Sequence, residues 1–83
     1  MPLARLASAK KKTVGSKQTM KAIQRGQAKV VYVAVNAERH VIDPIIQACR
    51  EKNIPLVEVE SMAKLGKICN IDVGCASAAV IED

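Results

Sequence analysis

The sequence has no tryptophan and no phenylalanine, and Tyr32 is its single aromatic residue. That argues against an extended aromatic platform for stacking single-stranded bases. It leaves valine, isoleucine, leucine, alanine and methionine to build a core. Histidine is as scarce, so a zinc site would have to combine His40 with Cys49, Cys69 and Cys75, whose gaps match no tetrahedral pattern. The cysteines are odd in number and include no Cys-x-x-Cys. They read as small packed residues of a reducing compartment rather than a disulfide framework. The longest apolar run, Val30–Val35, is strand-sized and far short of the roughly 18–20 residues a membrane span requires. No uninterrupted apolar segment follows the basic N-terminus as in a secretory signal. A cytoplasmic protein is the expectation.

Acidic residues are absent from the whole of residues 1–37. That stretch carries Arg5, Lys10, Lys11, Lys12, Lys17, Lys21, Arg25 and Lys29, whereas residues 38–83 hold all eight acids and only five cations. The formal net charge of +5 therefore conceals a strongly positive first half and a mildly negative second half. A solvated lysine face would account for one basic helix. An acid-free stretch covering nearly half the chain points instead to a polyanion, with nucleic acid favoured. An anionic membrane surface fits less well, since the stretch has no bulky apolar face to insert. At 83 residues the chain is one small domain, residues 1–83, with little surplus stability and no room for a deep catalytic cavity.

Catalytic motifs are missing too. No serine has the context of a nucleophile elbow, and the acids Asp43, Glu58, Glu60 and Asp72 are scattered as solvated charges or caps. A phosphate-binding P-loop fails at Lys10, where its first glycine should stand, and at Ser16, which separates Gly15 from Lys17. A non-enzymatic protein without metal or cofactor is expected.

What the sequence does contain is alternation. Leu3, Leu6 and Ala7 recur at helical spacing, with Lys10–Lys12 suited to closing that helix. Thr13-Val14 is a short β-branched segment. Ser16 reads as the N-cap of a helix over 17–25 with Gly26 as its left-handed stop. Val30–Val35 is a strand covered on both faces. Residues 36–41 read as a connection, and Asp43-Pro44 as a helix start, the helix ending near Lys52 and Asn53. A strand over Leu56–Val59, a helix over Met62–Cys69 capped by Ser61, a loop over Ile71–Gly74 and a strand over Ala76–Ile81 complete the pattern. Helices and strands in strict turn predict a three-layer α/β/α sandwich, with helices on both faces of one small mixed sheet.

Two segments stand out as recognition elements. At Gly15–Lys21 a flexible glycine precedes a helix start, where unpaired N–H groups and the positive dipole end face outward. Lys17 and Gln18 occupy the first turn, and Lys21 follows one turn on. The amide of Gln18 can address a base edge and the lysines can address phosphate or guanine acceptors. A merely capped, exposed helix start is the plainer alternative. At Ile71–Cys75, the aliphatics Ile71 and Val73 stand beside Gly74, free either to pack on an unstacked base or to fold back into the core.

These two segments carry a resemblance. The run from Val14 through Gly15-Ser16-Lys17-Gln18 to Gly26 resembles the signature helix start of the kink-turn RNA-binding ribosomal protein family, named for an archaeal large-subunit member. Leu65-Gly66-Lys67-Ile68-Cys69-Asn70-Ile71-Asp72-Val73-Gly74-Cys75-Ala76 resembles its second signature. Asp43-Pro44 and Ile54-Pro55-Leu56 fall in matching places, so the likeness spans essentially the whole chain and is closest to the small bacterial YbxF-like members. It implies a non-catalytic monomer that binds structured RNA, not DNA or membrane. The kink-turn is a sharply bent internal loop flanked by sheared G·A pairs. By resemblance, Gly15, Ser16, Lys17, Gln18 and Lys21 would reach the guanine edges, and Ile71, Asp72, Val73 and Gly74 would cover the extruded nucleotide. Lys17-Gln18 departs from the Asn-Glu of archaeal and eukaryotic relatives, which removes one carboxylate acceptor. A ribosome-associated protein–protein adaptor with only non-specific RNA affinity is the alternative.

Overall fold

The computed structural model describes residues 2–83. In chain order the elements are α1 (Pro2–Ser8), β1 (Lys11–Val14), α2 (Ser16–Gln24), β2 (Val30–Ala34), α3 (Arg39–Lys52), β3 (Leu56–Val59), α4 (Met62–Ile68) and β4 (Ser77–Glu82). The strands form one sheet in the order β1-β4-β2-β3. β4 runs antiparallel to both neighbours, with Val14 opposite Ala78 and Val31 opposite Ala79. β2 and β3 are parallel, with Tyr32 opposite Val57, and α3 supplies the crossover that a parallel pair requires. α2 packs on α3 against one face of the sheet, and α1 lies with α4 against the other. The mixed-sheet α/β/α sandwich expected from the sequence is the fold observed.

Every residue of β2 is buried, as its unbroken apolar run requires of a central strand. Tyr32, Leu6, Ile23, Ile42, Ile45 and Leu65 are the bulkiest fully buried side chains, so each helix contributes at least one anchor. Burying each such aliphatic side chain stabilises the fold by roughly 1.5–3 kcal/mol. The short α1 is held by Leu6 and by Arg5, whose Nε and Nη2 donate to the Asp83 carboxylate at 2.8 and 3.1 Å.

Four local expectations are corrected. Lys11 and Lys12 belong to β1 rather than to the end of the first helix. Lys12 still serves that helix, because its ammonium reaches back to donate to the Leu6 and Ala7 carbonyls at 3.2 and 3.3 Å. Ser16 is the first helical residue, and Gly15 is the N-cap position. The Asp43-Pro44 start is overridden, since α3 begins at Arg39 with Glu38 as N-cap. Burial of Ile42 in line with Ile45 and Cys49 draws residues 39–43 into the helix, at the cost of the hydrogen bond Pro44 cannot donate and of its ring against the preceding turn. His40 thus lies in the first turn of α3 rather than in a connection. Finally, Val35 lies beyond the end of β2 and is 45 % exposed. The other stops hold: Asn53 and Asn70 adopt left-handed φ of 57° and 62°, and the Ser61 hydroxyl accepts from the Lys64 N–H at 3.1 Å.

Candidate nucleic-acid interface

The strand directions bring one set of connections to a single edge of the sheet. The C-terminal ends of β1, β2 and β3 lie beside the N-terminal end of β4. Gly15 and the start of α2, residues 35–38, residues 60–62 and the loop 70–76 therefore share that edge, and all nine residues singled out by the sequence lie at or next to it.

Gly15 makes the turn from strand to helix at φ +94°, a conformation that L side chains rarely adopt. Its N–H donates to the Ser77 carbonyl at 2.9 Å and its carbonyl accepts from the Thr19 N–H at 3.0 Å. The Ser77 hydroxyl donates to the Ser16 hydroxyl at 3.0 Å. Ser16 is thus turned inward and fixes α2 to β4, while Lys17, Gln18 and Lys21 are exposed. Among the described residues none of these three side chains has a hydrogen-bond or ion-pair partner. The first turn of α2 holds no acid and no side-chain cap. The N–H groups of residues 16–18 precede the first intrahelical bond and point outward with the positive dipole end. Thr19 faces the other way, its hydroxyl bonded to that of Thr13 at 2.9 Å.

The second segment folds back along α4. Ile71 N–H donates to the Gly66 carbonyl at 3.0 Å and Cys75 N–H to the Met62 carbonyl at 3.1 Å. Gly66 is needed here because the Val73 carbonyl rests directly on its α-carbon, leaving no space for a side chain. The pair of loop aliphatics divides: Ile71 is half-buried and packs against the core, whereas Val73 is 70 % exposed. Asp72 and Gly74 are exposed beside it. The two segments meet at Ser77, whose carbonyl accepts both from Gly15 and from the Cys75 thiol, the latter at 2.9 Å.

Three participants escaped the sequence reading. Val35, read as part of a strand, is with Val73 the only large apolar side chain well exposed among the described residues, and both stand at this edge. Asn36 accepts from the Met62 N–H at 2.8 Å and so ties the end of β2 to the start of α4. Ser77 joins the two signature segments. Only Val35 left a readable signal, being the last apolar residue of a run one longer than its strand. Among the described residues no cluster of three or more potential metal ligands occurs.

This arrangement is that of a recognised class. The chain matches the model of the ribosomal protein L7Ae/L30e/S12e/Gadd45 family over residues 2–83, and it belongs to that family. It is 43 % identical over 81 residues to an RNA-binding protein of Geobacillus sp. strain WCH70, covering 98 % of this chain and 99 % of that one. It is 40 % identical, with the same coverage, to the RNA-binding protein YbxF of Geobacillus stearothermophilus. Among solved structures, the Giardia lamblia 15.5kD RNA binding protein superposes with a TM-score of 0.86 at 27 % identity, over 98 % of this chain and 68 % of that one.

Proposed function

We propose that this chain is a non-catalytic RNA-binding protein that recognises a kink-turn and holds it in its bent form, acting as a cytoplasmic monomer. The observation that carries the reading is the sheet edge itself. An acid-free helix start with free N–H groups and the unpartnered side chains of Lys17, Gln18 and Lys21 lies fixed, through Ser77, beside a loop that presents Val73 to solvent. The first element suits guanine edges and phosphates, and the second suits an unstacked base. Family membership and the RNA-binding relatives support the same reading. Gly15, Ser16 and Gly74 shape the two segments, and Asp72 offers an acceptor to a base or ribose. Ile71 holds the loop from inside. A protein that binds the bent RNA more tightly than the extended form shifts the RNA population by that difference in affinity.

The test is a titration at two salt concentrations of a kink-turn RNA and of the same RNA with its sheared G·A pairs replaced by Watson–Crick pairs. Tight binding to the first, with loss of roughly two orders of magnitude on the second, is the expected result. Equal, steeply salt-dependent binding to both would refute kink-turn reading and favour the adaptor function. That second reading has one structural support. An open groove of about 590 Å³ lies between α3 and β3, lined by Arg39, Asp43, Ile46, Gln47, Arg50, Leu56 and Glu58, none of them among the residues assigned to RNA.

A further inference from the structure

β3 is the last strand of the sheet and pairs only with β2. The carbonyls of Pro55 and Val59 accept from the Val31 and Val35 N–H groups at 3.0 and 2.9 Å, so the N–H and carbonyl groups of Leu56 and Glu58 point away from β2. The side chains of the same two residues line the groove against α3. As the chain turns back from α3, the Ile54 N–H donates to the Cys49 carbonyl at 2.9 Å, and α3 and β3 run in opposite directions. Arg50 therefore stands level with Leu56, and Glu58 lies toward the Arg39 end. Arg39 and Asp43 neutralise each other, Nη2 to Oδ1 at 2.9 Å. Among the described residues neither Arg50 nor Glu58 has a hydrogen-bond or ion-pair partner. Half-buried Ile46 and Leu56 form an apolar floor between these two free charges.

A helix beside a free sheet edge, with a cleft between them, is an arrangement that takes an extended peptide as an added strand. We propose that this groove binds an extended peptide of a partner protein, added antiparallel to β3, whose groove-facing side chains run basic, apolar, acidic from its N-terminus. Successive side chains of a strand alternate between faces, so these three stand two residues apart. The basic residue lies opposite Glu58, and the apolar one opposite Leu56 and against Ile46. The acidic residue follows, past the start of β3, where Arg50 meets it. The first two residues exchange N–H and carbonyl bonds with Glu58 and Leu56, using the four backbone groups that β2 leaves free. A second copy of this chain is a poor occupant. β3 is four residues long, follows Pro55 and carries Glu58, and these features guard an edge against another sheet edge. A lone peptide strand needs only Leu56 and Glu58. The proposal is independent of the RNA-binding reading, since none of these residues is assigned to RNA.

The test titrates the protein into a capped, fluorescein-labelled peptide, Ala-Lys-Thr-Val-Thr-Glu-Ala, and follows polarisation up to millimolar protein. Two control peptides accompany it, one with Lys and Glu exchanged and one with N-methylvaline at the centre, which cannot donate to the Leu56 carbonyl. Each control is expected to bind at least tenfold more weakly than the parent peptide. Amide shifts in a 15N-labelled sample are expected to concentrate at Leu56, Glu58 and the facing side of α3. Arg50→Glu combined with Glu58→Lys, both at exposed positions and checked by circular dichroism, is expected to invert the preference in favour of the exchanged peptide. The peptide titrations and amide shifts use unaltered protein, so they decide the matter even if the double variant fails to fold. No binding of the parent peptide, equal binding of the exchanged or N-methylated peptide, or amide shifts elsewhere would each overturn the proposal. Displacement of the bound peptide by kink-turn RNA would assign the groove to RNA and overturn it as well.

Discussion

Replacing Gly66 by alanine sets two effects of opposite sign against each other. Gly66 lies inside α4, where alanine is favoured by up to about 1 kcal/mol on helix propensity. The added Cβ would however meet the Val73 carbonyl oxygen well inside contact distance, with the Val73 carbonyl carbon at 3.2 Å and the Gly74 α-carbon at 3.5 Å. These are backbone atoms and cannot rotate aside, so the whole loop must retreat by about 1 Å to reach ordinary contact. Overpacking of this kind costs about 1–3 kcal/mol, and the rigid backbone contact puts Gly66→Ala towards the upper end, so that after the propensity gain it is destabilised by up to about 2 kcal/mol. For a domain of this size that is a fall in Tm of up to roughly 15 °C, read by thermal unfolding. The retreating loop carries Val73 with it, so kink-turn affinity is expected to fall even well below the melting range. A rise in Tm, as propensity alone would give, would refute the close-approach argument.

Val73→Ser is expected to change stability by less than about 0.5 kcal/mol, because the side chain is already solvated, yet to weaken RNA binding; unchanged affinity would remove Val73 from the interface. Gln18→Ala should cost about 1–3 kcal/mol of discrimination without altering the salt dependence of binding, whereas Lys21→Ala should reduce the salt slope by about one. The converse pattern in a salt titration would reverse the assigned roles. The Arg5 guanidinium holds the Asp83 carboxyl below its ordinary value of 3.8. A lowered carboxylate contributes stability above its unfolded value and loses it as pH falls through the folded one. Asp83→Asn should therefore lower Tm near neutrality and converge on the parent in acid below that value. A gap that persists in strong acid would show that charge is not the cause.

How far the sequence could be read follows from the range of each signal. The order of helices and strands along the chain was legible because apolar periodicity and Gly, Asn and Ser punctuation are local, and Asn53, Asn70 and Ser61 all do what their chemistry suggests. Asp43-Pro44 misled because burial of Ile42 against the core outweighs a start signal and one missing hydrogen bond. Lys12 misled in sequence and not in physics, since a cation does meet the carbonyl end of α1, arriving from β1. Ile71 and Val73 were indistinguishable because only the path of the loop over Gly66 decides which one faces water. The pairing of the two signature segments is a contact between residues 61 positions apart, Ser16 and Ser77, and no local pattern encodes it.

The start of α2 places a cation where the helix dipole favours an acid, and this gives a prediction with two readouts of opposite sign. A helix N-terminus favours acids, yet Lys17 stands in the first turn with no acid nearby and with Lys21 four residues on. Lys17→Glu removes an unfavourable charge from the dipole end and turns a repulsive pair into an attractive one in the preferred orientation. The free protein should gain roughly 0.5–1.5 kcal/mol, measured by urea unfolding. Kink-turn affinity should fall at the same time, because the carboxylate confronts the phosphates that the lysine would attract. A residue that costs the free fold stability and serves only in the complex is the expected mark of a binding site. If Lys17→Glu is less stable than the parent, or binds RNA equally well, then Lys17 is an ordinary solvated lysine and the recognition surface must be sought elsewhere on the molecule.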